Sequence, residues 1–262
     1  MTGITFIVNM YMSSIVYVGC AVFALGFIYK VYFEYYKTPQ PLVIPQTPQP
    51  VTLSGVILRM AGDVLFFRSL SKGTTFLFIT GWIFHFTFLM MIIRHLRYFI
   101  HPVPGLITAL GNGAMFLSVV LLVSLILLVI RRFAEERTAY VTVLADYVVL
   151  FLIIGITMTG IMMRCEPFRP DIVAVNAFVL QLMDLKAPFK MLGMHPAELL
   201  HKGQALSPGD VIFMCHLSFV FFLLMYFPFS KLMHAAGYFF SPTRNMVNNP
   251  RDVRHVNPWD NS

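Results

Sequence analysis

Four histidines stand in stretches that are otherwise strongly apolar. His85 and His95, ten residues apart, lie in TTFLFITGWIFHFTFLMMIIRHLRYF (Thr74–Phe99). His216 and His234, eighteen apart, lie in CHLSFVFFLLMYFPFSKLMH (Cys215–His234). An ionisable side chain inside a membrane-length apolar run is costly to leave without a partner, and by default it marks a functional site. Neutral imidazole offers a metal one ring-nitrogen lone pair. Two such rings on opposite sides of a haem iron fill both axial positions and leave no open site for oxygen, which suits electron transfer. Two pairs of imidazoles therefore predict two b-type haems, with His85, His95, His216 and His234 as the iron ligands, in a protein that moves electrons through a membrane.

Cysteine use narrows the chemistry. Cys20, Cys165 and Cys215 are scattered and form no CxxC pair, which argues against an iron–sulfur cluster built by this chain alone and against covalent haem attachment. Of the 262 residues 58% are hydrophobic and 12% charged, about half the charged share of a soluble domain. The mean hydropathy of +0.74 agrees. An all-α integral membrane protein is expected, a five-helix bundle with spans at about 4–29, 75–99, 106–130, 140–163 and 211–238. Residues 1–240 form the membrane domain and 241–262 a polar tail. The formal charge of +7 does not imply nucleic acid, because the basic residues sit at helix ends and in loops. The N-terminus lacks the positive region of a signal peptide and reads as a retained first span.

Between the first two spans, TPQPLVIPQTPQP favours extended structure. LSGVILRMAGDVLFFRSLSKG (Leu53–Gly73) then alternates apolar and charged residues with roughly helical period, as a helix lying on the membrane surface would; a docking site for a partner is the alternative. In the third span Gly111-Asn112-Gly113 offers room for a flat ring or a neighbouring helix, ordinary packing being the simpler reading. A loop of 47 residues, Arg164–Asp210, is amphipathic in places and predicts short capping helices. Placing the N-terminus outside puts twelve Lys and Arg inside and seven outside, a modest bias toward N-out and a cytoplasmic C-terminus.

With that orientation the second span runs outward and the fifth runs back, which pairs His95 with His216 near the outer face and His85 with His234 near the inner face. Ten helical residues rise about 15 Å and eighteen about 27 Å. Straight helices would not fit both pairs, and Pro228 is placed to kink the last span. Lone membrane histidines are often only hydrogen-bonded to a neighbouring helix; two pairs at roughly matching heights favour ligation. Arg94 and Arg97 flank His95 and could meet haem propionates or snorkel to lipid head groups. His101 and His255 read as surface residues, and His195 or His201, in the loop, could touch a quinone head group. Glu166, Asp171 and Asp210 lie beside the outer layer, where quinol oxidation would need a proton acceptor.

The two histidine spacings and the five spans resemble the gamma subunit of respiratory nitrate reductase, a di-haem cytochrome b, over most of the hydrophobic chain. GWIFH (Gly81–His85), RHLRYF (Arg94–Phe99) and FSPTRNMVNNPRDVRHVNPW (Phe240–Trp259) look like the DsrM-type membrane subunit of the complex associated with dissimilatory sulfite reductase. This resemblance implies electron exchange between menaquinone and a cytoplasmic iron–sulfur subunit of heterodisulfide-reductase type, within sulfur metabolism, in the cytoplasmic membrane of a prokaryote. It also implies a periplasmic multihaem cytochrome c and a second quinone-interacting membrane subunit as partners. Two departures stand out. The nitrate-reductase subunit carries glycine where Arg94 stands, and its quinol-side lysine has no counterpart between Ile100 and Leu110. A gamma-type cytochrome b of another respiratory reductase is one alternative; a non-redox anchor or a transporter is another, although no internal repeat or pair of broken helices in matching halves supports a transporter.

Overall fold

The computed structural model describes residues 3–37, 50–183, 207–241 and 245–249. Among them the ordered elements are helices, in the order α1 (Gly3–Tyr29), α2 (Leu53–Phe66), α3 (Thr75–His95), α4 (Gly105–Ala134), α5 (Glu136–Val141), α6 (Leu144–Met162), α7 (Ile172–Met183), α8 (Pro208–Tyr226) and α9 (His234–Phe240). Five apolar segments are long enough to cross a membrane: Met10–Tyr35, Thr75–Tyr98, Gly105–Ala134, Leu144–Met162 and Pro208–Phe229. The fold is an all-α membrane bundle. His195 and His201, read from the sequence as loop residues, and His255, read as a tail residue, lie outside the described residues.

Helix ends follow local charge and hydrogen bonding. Lys30 does not stop the first span; it pairs with Glu34 one turn on at 2.7 Å, and the helix continues in wider turns to Tyr36. An (i, i+4) pair of opposite charges suits the helix. In the same way α4 runs through Arg131 and Arg132, which sequence reading placed beyond the span. Arg131 pairs with Glu135, and Arg132 donates to Thr142 Oγ1 at 3.1 Å. The Val143 N–H donates to Asp146 Oδ2 at 3.2 Å, which opens α6. Asp171 accepts from Val173 N–H at 2.8 Å to open α7, and Asp210 accepts from Ser207 N–H at 2.9 Å to open α8. Two of the three carboxylates suggested as proton acceptors thus serve helix starts.

The chain packs as two units, one from residues 1–21 and 83–225 and one from 22–82 and 226–262. Within the first, α4 and α6 bury Leu121, Leu125, Leu150 and Ile153, flanked by Phe84, Phe88 and Met91 of α3 and Leu223 of α8. A second cluster joins Met12 of α1, Val175 and Phe178 of α7 and Phe213 of α8. Hydroxyls in the spans bond back to their own helices: Thr87 to the Ile83 carbonyl at 2.8 Å, Ser118 to Ala114 at 2.7 Å and Thr157 to Ile153 at 2.8 Å. Each donor is satisfied without help from another helix.

Within the second unit, α2 is the helix expected over residues 53–73, although it ends at Phe66. Thr52 caps it, its Oγ1 accepting from Gly55 N–H at 3.2 Å. Phe67 closes it in the left-handed region, φ 50°, a place usually left to glycine. Asp63 is the hub here: it accepts from Tyr238 Oη at 2.9 Å and from Ser69 N–H at 3.1 Å, and pairs with Arg59 at 3.1 Å. One carboxylate therefore ties α2 to α9. Asn248 N–H adds a bond to the Pro50 carbonyl at 2.9 Å.

The last span departs from the expected 211–238. Its α-helix stops at Tyr226, tightens into a 3₁₀ turn over Phe227–Phe229, and breaks at Ser230 in extended conformation (φ −117°, ψ 170°). A second 3₁₀ turn, Lys231–Met233, leads into α9. Pro228 cannot donate to a helix ladder and crowds the preceding turn, so the expected kink is a full interruption. Gly26 of α1 accommodates it: a Cβ there would lie 2.9 Å from the Pro228 ring.

Two outcomes follow from these contacts. At Gly209 a Cβ would sit 2.6 Å from the Arg169 carbonyl oxygen, a backbone atom that cannot swing away, so Gly209→Ala should cost about 1–3 kcal/mol in thermal unfolding of the detergent-solubilised protein. The Tyr238 phenol has its pKa raised by burial and by its bond to Asp63. A folded-state pKa above the unfolded value gives stability that is complete below the unfolded pKa and is lost as pH rises through the folded one. Tyr238→Phe should therefore be the less stable protein at neutral pH, and the gap should close only at pH values above the ordinary phenol range, as read by chemical denaturation across pH.

Candidate functional site

His95 is the final residue of α3 and His216 lies two turns into α8. Their ring centres are 6.2 Å apart and their planes differ by 10°. These are the two histidines that the antiparallel order of the spans assigns to one pair. His216 is buried, whereas His95 keeps an open surface.

Hydrogen bonds fix which nitrogen each ring can offer. His95 Nδ1 lies 2.6 Å from the Met91 carbonyl, one turn back on α3. A carbonyl only accepts, so Nδ1 carries the proton and Nε2 keeps the lone pair. His216 Nδ1 lies 2.9 Å from Thr159 Oγ1. The Thr159 hydroxyl proton is already directed to the Gly155 carbonyl at 2.7 Å, so its oxygen accepts, and His216 Nδ1 is again the donor. Both rings are therefore Nδ1–H tautomers with a basic Nε2. A hydrogen bond at the far nitrogen is the usual way a protein sets the tautomer and orientation of a ligating histidine.

The spacing can be tested against a metal. With one nitrogen of each ring about 2 Å from a metal, and each ring centre roughly 1 Å behind its nitrogen, the centres stand about 6 Å apart. The observed separation fits one metal shared by the two rings. Among the described residues no three His, Cys, Asp or Glu side chains gather around a common point. A metal here would need its other ligands from elsewhere, as the four nitrogens of a porphyrin supply them.

The remaining candidates sit as follows. His85 lies within α3, its ring edge-on to Phe84 at 4.8 Å. His234 opens α9, with Nδ1 at 2.7 Å from the Lys231 carbonyl; they belong to different units. Arg94 lies against Gly111 of α4, where a Cβ would come within 2.9 Å of Nη2, so a guanidinium takes the room at Gly111, while Gly113 faces open space. Arg97 sits over the Tyr98 ring at 5.3 Å. His101 is exposed.

Thr159 carried no signal in the sequence. A threonine in an apolar span ordinarily bonds its own helix, and Thr157 two residues earlier does only that. What sets Thr159 apart is the neighbour across the helix pair.

An all-α membrane bundle with an imidazole pair set between two of its spans is the class that fold and site define. No family model matches the chain. A curated relative from Archaeoglobus fulgidus, an Hdr-like menaquinol oxidoreductase cytochrome b-like subunit, is 32% identical over 93% of this chain and 81% of its own length. Its counterpart of the same name from Archaeoglobus profundus is 29% identical over the same shares. The chain belongs to the family of Hdr-like menaquinol oxidoreductase cytochrome b-like subunits.

Thr159→Val keeps the shape and removes the acceptor, leaving the buried His216 donor without its partner. A cost of about 1–3 kcal/mol is expected, with Thr159→Ser close to wild type, both read by thermal unfolding.

Proposed function

We propose that this chain is the di-haem cytochrome b subunit of a membrane complex that exchanges electrons between menaquinone, near the outer face, and a cytoplasmic iron–sulfur subunit of heterodisulfide-reductase type. The observation that carries the reading is the His95–His216 pair, two Nδ1–H imidazoles with ring centres 6.2 Å apart. The names of the two relatives join menaquinol, cytochrome b and an Hdr-like assembly, and so support it.

Haem, when bound, supplies reversible one-electron exchange. His95 and His216 hold the outer iron through Nε2. His85, about 15 Å back along α3, and His234 hold the inner one. Met91 and Thr159 keep the outer ligands in the ligating tautomer, and the apolar side chains of α3, α4, α6 and α8 exclude water. Arg94 and Arg97, at the outer end of α3, face the haem carboxylates.

In this arrangement the N-terminus lies outside, residues 1–240 form the membrane domain, and the tail 241–262 faces the cytoplasm of a prokaryote. Electrons pass to or from a thiol or disulfide carrier of sulfur metabolism. A periplasmic multihaem cytochrome c and a second quinone-interacting membrane subunit complete the assembly.

A pyridine haemochrome titration of the purified chain should give about two b-type haems. His95→Ala and His216→Ala should each remove the same haem, and the double variant should lose no more than either single one. His85→Ala and His234→Ala should remove the other. One haem in the wild type would refute the inner pair, and none in a folded preparation would refute the reading altogether.

A further inference from the structure

Three guanidiniums from two separate segments gather beside His95. Arg94 presses on Gly111, at whose position a Cβ would lie 2.9 Å from Nη2 and 3.3 Å from Cζ. Arg164, in the turn after α6, donates through Nη2 to the Gly111 carbonyl at 3.4 Å. Gly111 is thus approached from one side at its α-carbon and from another at its oxygen. Arg97 lies within electrostatic reach of Arg94, as Arg164 does. Among the described residues none of the three pairs with a carboxylate; the ion pairs formed are Lys30–Glu34, Arg59–Asp63, Arg131–Glu135 and Arg132–Asp146.

Like charges this close repel, most strongly where the surroundings are apolar. Elsewhere in this chain arginines at span ends are matched: Arg131 and Arg132 have Glu135 and Asp146. Around Gly111 no such match lies among the described residues, which leaves three guanidiniums open to an anion from outside the chain. Guanidinium forks suit carboxylates and phosphates alike. Two sources are therefore open, the paired carboxylates of a haem and the phosphate of a lipid head group. The place decides between them: Arg94 adjoins His95 in sequence, while Gly111 and Arg164 bring α4 and the end of α6 to the same point.

We infer that Arg94, Arg97 and Arg164, with Gly111 as their floor, form one anion clamp that closes on the carboxylates of the outer haem and raises its midpoint potential. This rests on the haem reading above. Gly111 is a positioning residue: it acts through where it lets Arg94 and Arg164 sit. Positive charge beside a haem favours the reduced form, so neutralising one arm lowers the potential.

The test is an optical redox titration of the full chain in nanodiscs of zwitterionic lipid. Wild-type haem content reports on the haem reading by itself. With Arg164→Gln, both haems should remain and one midpoint should fall, with about a tenfold change in its reduction equilibrium, or 59 mV for one electron. Arg164→Lys should recover most of the shift, and Arg137→Gln, an exposed arginine elsewhere, should leave both midpoints in place. Gly111→Ala should lower the same midpoint by displacing the flexible end of Arg94. Unmoved midpoints in Arg164→Gln and Gly111→Ala, with both haems present, would overturn the clamp. Wild-type and Arg164→Gln midpoints that differ in phospholipid nanodiscs but coincide in the phosphate-free detergent dodecyl maltoside would assign the anion to lipid phosphate and overturn the carboxylate assignment.

Discussion

A proton on nitrogen or oxygen inside an apolar bundle has no water to turn to, and its unmet hydrogen bond is worth several kcal/mol in lipid. Threonines and serines solve this alone, by bonding the carbonyl one turn back. Histidine solves it differently at His95 and at His216. His95, at the last turn of α3, reaches its own Met91 carbonyl. His216 uses Thr159 of α6, which relays to Gly155. The tautomer of both rings follows from these two bonds, and with it the direction in which a lone pair is offered. Every chemical property assigned to the site depends on that choice.

The last span is interrupted between His216 and His234. An unbroken helix from His216 to His234 would separate them by about 27 Å, against about 15 Å for His85 and His95. The α-helix extends only ten residues past His216, to Tyr226, and then gives way to two 3₁₀ turns around Ser230. The level of His234 is consequently not set by the rise of one straight cylinder. Pro228 is the chemical cause.

Much of the architecture was readable from residue types. Five apolar runs became five membrane-length helices, and the ten-residue step from His85 to His95 lies within a single helix, as its period required. The antiparallel order put His95 and His216 at the same end. Span ends were less legible, because charge marks an end only when it is unmatched: Lys30 with Glu34, and Arg131 with Glu135, let helices run on. The supporting residues were not legible. Thr159 and Gly111 look like any small residues of a span, and their roles come from what another helix brings against them. The sequence offered Asp171 and Asp210 as candidate proton acceptors, yet a Ser–Asp or Asp–Val start to a helix is the more ordinary use.

The Asp63 hub also has a consequence in time. Its tyrosine partner lies 175 residues further along the chain, and synthesis at about 5–20 residues per second delivers it roughly 10–35 seconds later. During that interval α2 has its Thr52 cap and its Arg59–Asp63 pair to draw on, but the hydroxyl that fastens it has not been made. A segment made later thus secures one made earlier, and α2 is fastened to α9 only after the residues between them have been synthesised.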